Sequence, residues 1–96
     1  MKYVAILAAL AGSQVMAQEH CAPHDVVVER LGENYGETRQ SLGLDAVGSV
    51  VEVFASLETG TWTITVTRPG GPTCIAAVGE HYQVTSEQLP PLGEDS

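Results

Sequence analysis

His20 becomes the third residue of the chain if an N-terminal signal ends at Ala17. Gln18-Glu19-His20 then offers an amine, two backbone amides and an imidazole in the square-planar arrangement that copper(II) and nickel(II) favour. Glu19, His24 and Asp25 add donors nearby. The plainer use of the same residues is a solvated N-terminus, and cyclisation of Gln18 would remove the amine. The only two cysteines, Cys21 and Cys74, suit a disulfide in an oxidising compartment and then leave no thiol nucleophile. A metal site or an intermolecular bridge is the other use of such a pair. Ser41, Ser49, Ser56 and Ser86 with the three histidines supply the residue types of a hydrolytic triad, but none sits in a nucleophile-elbow context. Pro69-Gly70-Gly71-Pro72 lacks the lysine and helix of a phosphate loop and reads as a turn. No catalytic residues are therefore assigned, and the expectation is that the protein is not an enzyme.

The compartment is read from the N-terminus. Lys2, the apolar run from Val4 to Ala11 and the small-residue exit Val15-Met16-Ala17 have the three parts of a secretory signal, with cleavage expected before Gln18. The run is far shorter than the roughly 20 residues that span a bilayer, so no membrane span is expected. Lipid attachment at Cys21 is the alternative. Glu19 and His20 precede that cysteine where small or apolar residues are wanted. The expectation is an exported protein, periplasmic or extracellular.

Removing Lys2 with the signal leaves Arg30, Arg39 and Arg68 against all 12 acidic residues, a net charge of −9. That balance excludes nucleic acid as a partner. It favours cationic ligands or serves solubility alone. One small domain is expected over residues 18–84, with an acidic, Pro90-Pro91-bearing tail over 85–96 that reads as disordered. A core this small gains from a staple, and closing the Cys21–Cys74 loop contributes on the order of 4 kcal/mol.

The elements that must position these groups follow from periodicity. Pro23 starts a helix, Asp25 lies in its first turn, and Gly36 ends it. Val27, Val28, Leu31 and Tyr35 make its apolar stripe. Thr61 to Thr67 alternates strictly, which predicts a strand with Trp62, Ile64 and Val66 toward the helix and the four threonines toward water. Residues 50–55 predict a central strand, Glu58-Thr59-Gly60 a hairpin turn, and 73–78 a further strand. A weaker strand is expected over 38–44, with Thr38, Gln40 and Leu42 on one face and Arg39, Ser41 and Gly43 on the other. The fold class is α+β: one N-terminal helix packed on a three- or four-stranded antiparallel meander, with one disulfide. Trp62 is expected between helix and sheet, beside Val27 or Val28 and Leu31.

Tyr35-Gly36-Glu37-Thr38, Val50 to Ser56, Gly60-Thr61-Trp62-Thr63 and Cys74-Ile75-Ala76-Ala77 together resemble a set of small exported alphaproteobacterial proteins of unassigned function. That resemblance implies secretion and a paired cysteine, and no activity. In architecture alone the expected fold is similar to the PepSY type of periplasmic inhibitory or binding module, and architecture does not fix function. The expectation is a small binding or interaction module with a protein partner, docked by strand addition to an exposed sheet edge. Copper or nickel binding through Gln18, Glu19 and His20 is the alternative.

Overall fold

A computed structural model describes residues 20–92. The expected signal at 1–17, residues Gln18 and Glu19 of the candidate metal site, and the last four residues of the expected tail lie outside them. Strand β1 (Cys21–Ala22) precedes helix α1 (His24–Tyr35), and β2 (Thr38–Leu44), β3 (Val50–Ala55), β4 (Trp62–Thr67) and β5 (Thr73–Gly79) follow. The sheet is antiparallel throughout, in the order β1-β5-β4-β3-β2. The meander is thus the expected one, with a fifth strand added at its β5 edge. Because β1 comes first, the helix is not the N-terminal element; it carries the chain from one edge of the sheet to the other.

The helix boundaries have local causes. Pro23 is the N-terminal cap residue, and Asp25 Oδ1 accepts the Val26 N–H. Gly36 is left-handed at φ 65°, its N–H donating to the Gly32 carbonyl and the Glu37 N–H to the Leu31 carbonyl. A side chain at position 36 would meet the Cβ penalty of that conformation, which glycine escapes. Of the expected stripe, Val27 and Leu31 are buried and Val28 is half-buried, while Tyr35 stays 57 % exposed.

The helix covers the opposite face of the sheet from the one that alternation suggested. Val27 and Leu31 pack with Phe54, and Ala22, Val28 and Ile75 close around them. Phe54 stands opposite Thr63, and Thr65 is flanked by Glu52 on β3 and Ile75 on β5. Thr63 and Thr65 are therefore buried beneath the helix, with Thr65 at 0 % exposure. Trp62, Ile64 and Val66 point the other way, level with Ala55, Val53 and Val51 of β3. Trp62 does not reach the core. Its indole lies over Gly79, and its Nε1 donates to the Glu80 carbonyl at 3.1 Å.

Two irregularities in the ladders set this arrangement. The β4–β5 register shifts at Ala76, which places Ile75 opposite Thr65 on the helix side, although Ala77 faces Ile64 on the far side. The β2–β3 register shifts at Gln40, which turns Arg39 to stand opposite Phe54 on the helix side, where Leu42 and Leu44 also lie. An extra residue in a strand reverses the side on which its neighbours project. The expected grouping of Thr38 and Gln40 with Leu42 fails at that bulge.

Candidate functional site

Cys21 and Cys74 are bonded, S–S 2.04 Å, and lie directly opposite each other across β1 and β5 with Cα atoms 4.0 Å apart. The bond fastens the start of α1 to the last strand. Beyond it, the Ile75 N–H donates to the His20 carbonyl. Among the described residues nothing pairs with the outer edge of β5 from Ala76 to Gly79.

A groove of about 440 Å³ opens at this unpaired edge, between α1 and the sheet. Val27 and Leu31 of α1 with Ile75 and Val78 of β5 give it apolar walls, and Tyr35 stands on its helix side. Glu37 enters it from the chain that leaves the helix, placed there by the left-handed turn at Gly36. The side chain is 4 % exposed, and its Oε1 has no hydrogen-bond partner among the described residues. A buried carboxyl oxygen left unpaired is costly by itself, on the order of 1–3 kcal/mol, which a donor brought by a ligand would recover. Arg30 and Asn34 on the helix line the same groove.

The other buried acid is fully engaged. Glu52 accepts from Arg39 Nη1 at 2.8 Å through Oε2, and its Oε1 lies 2.8 Å from His24 Nε2. Arg39 and His24 remain nearly half exposed, whereas Glu52 is buried under the helix. This cluster clamps the start of α1 to the far strand β2 through the middle of the sheet. Its two carboxyl oxygens are both occupied by protein, so it offers a ligand nothing further.

Other residues singled out from the sequence are dispersed. Ser49 and Ser56 are buried turn residues, and the Ser56 Oγ accepts the Thr59 N–H. Ser41 and Ser86 are exposed, as is His81. His20 is exposed, and no group of three or more His, Cys, Asp or Glu side chains that could hold a metal ion occurs among the described residues. No described helix is long and apolar enough to cross a membrane. Glu37 had no signal in the sequence beyond its place after Gly36, and Glu52 had only its intrusion into an otherwise apolar strand. No protein-family model, curated protein or solved structure matches the chain.

Proposed function

We propose that this is an exported binding module without catalytic activity, which holds an extended segment of a partner protein along the open edge of β5. The observation that carries this reading is the unpaired Glu37 carboxyl oxygen in an apolar groove beside an unpaired strand edge. Backbone groups at a free edge offer a ladder for an incoming strand, and the adjoining pockets select its side chains. The segment that fits has apolar side chains for Val27, Leu31, Ile75 and Val78 and an N–H donor, best a basic side chain, for Glu37. A net charge of −9 after removal of the signal draws such a segment in. The signal read over residues 1–17 and the Cys21–Cys74 bond support a periplasmic or extracellular setting. The resemblance to small exported proteins of unassigned function agrees with that setting.

Selection from a random peptide library displayed on phage tests the reading. Enriched peptides should combine apolar residues with a lysine or arginine, and should lose at least tenfold in affinity against Glu37→Gln and against Val78→Pro. Peptides that bind both variants as well as the parent would remove this reading. The exposed imidazole of His20 keeps copper(II) or nickel(II) capture by Gln18, Glu19 and His20 as a second reading. Titration of the chain beginning at Gln18, against His20→Ala, should then give a visible square-planar band that the variant lacks.

A further inference from the structure

We infer that the face of the sheet turned away from α1 is where two copies of this chain meet. The face is made by Val51 and Val53 of β3 and Trp62, Ile64 and Val66 of β4, with Ala55 buried between Thr38 and Trp62 at 1 % exposure. Ala77 and Gly79 of β5 flank it on one side. Thr38, Ser41 and Gly43 of β2, which pair with Ala55, Val53 and Val51, flank it on the other. None of these side chains is charged, in a chain where 17 % of residues are. The charged groups of the strands themselves, Arg39 and Glu52, both project to the helix side.

No described helix or strand lies over this face, and its large apolar side chains are half-buried. The only described helix lies on the other side, and Val84, Leu89 and Leu92 of the segment after β5 are all exposed, Leu92 fully. Val51, Val53, Ile64 and Val66 have ladder neighbours on both sides within the sheet. β-Branched side chains on a twisted sheet make an even surface, and two such surfaces pack about 10 Å apart at roughly 30°.

Charge selects a second copy as the occupant. Acidic side chains are spread over the rest of the molecule, so this face is where two copies approach without opposing like charges. The ends of the strands add direction. Exposed Arg68 follows β4 at one end, while exposed Glu58 and Glu80 lie at the other. Asp45, at the Arg68 end, is engaged by the Val47 and Ser49 N–H groups. A two-fold axis across the strands sets them antiparallel and brings Arg68 of each copy toward Glu58 and Glu80 of the other. An axis along the strands would oppose like ends. The sandwich is therefore the antiparallel one, with each residue of the patch meeting the same patch on its partner.

Size sets the strength. Strands spaced about 4.8 Å, with a rise of about 3.3 Å per residue, make β2 to β5 a face of roughly 500 Å² once side-chain relief is included. Two copies bury about 1,000 Å², at the lower bound for a specific contact. The dimer is consequently weak and dependent on concentration. Trp62 and Gly79 of this face also line the β5 groove, so the two proposed contacts share that end of the sheet.

Sedimentation velocity on the disulfide-bonded protein from about 1 µM to about 500 µM reads the outcome directly. The weight-average mass should rise toward twice the monomer value. Ile64→Glu should hold the mass at the monomer value throughout, and Val53→Thr with Ile64→Thr, which keeps β-branched shape and strand propensity, should weaken association at least tenfold while the circular dichroism spectrum is unchanged. High salt should weaken it less than threefold, since the centre of the contact carries no charge. A parent protein that stays monomeric over the whole range overturns the inference. So does a dimer that survives the double threonine variant.

Discussion

Thr65 stands directly opposite Glu52 on the β3–β4 ladder, and both are sealed beneath α1. Their hydrogen bonding differs completely. Glu52 fills both carboxyl oxygens with His24 and Arg39, whereas the Thr65 hydroxyl has no partner among the described residues. An unpaired buried hydroxyl is a cost, and valine has nearly its shape. Thr65→Val should therefore stabilise the fold by about 1 kcal/mol, raising the melting temperature by about 5 °C in calorimetry. A lowered melting temperature would show that the hydroxyl is satisfied.

The clamp around Glu52 makes a prediction of opposite sign. Arg39→Met leaves a buried carboxylate with one partner fewer, a loss of about 2 kcal/mol in urea unfolding. Replacing both, Arg39→Met with Glu52→Met, should cost less than Arg39→Met alone, because no buried charge is then left without its cation. If the double variant is the less stable, Glu52 does not depend on Arg39 in the way the 2.8 Å contact implies.

Trp62 reports on the far face. A Cβ at Gly79 would lie 2.4 Å from the indole, too close for any real contact, and the indole would have to leave the Glu80 carbonyl. Gly79→Ala should shift the emission of this single tryptophan to the red and lower stability. An unchanged emission maximum would place the indole elsewhere.

Most of the elements were legible from the sequence, and their arrangement only in part. Gly36 marks the helix end because a left-handed residue is needed there, and the two cysteines had one intramolecular pairing open to them. Strand β1 has two residues, too short for any periodicity to register. Alternation in β4 reveals two faces without saying which is covered. That choice falls to the single phenylalanine: Phe54 shares its side with Glu52 and pairs with Thr63, so a helix offering only Val27 and Leu31 settles over threonine methyls. Bulges at Gln40 and Ala76 then turn Arg39 and Ile75 to that side, and no residue type announces a bulge at either position. The groove was hidden for the same reason, since Glu37, Ile75 and Val78 meet only once the helix has chosen its face.

The central claim is that α1 lies on the threonine face and leaves Ile64 and its neighbours without a helix over them. Thermal unfolding of two adjacent lysine substitutions, followed at low protein concentration, tests it most directly. Thr65→Lys drives a charge beneath the helix and should abolish cooperative folding or lower the melting temperature by more than 20 °C, on the order of 4 kcal/mol. Ile64→Lys, one residue away, lets its long side chain reach water and should cost less than about 2 kcal/mol. The reverse order, with Ile64→Lys the variant that fails to fold, would put the helix on the other face and contradict the account.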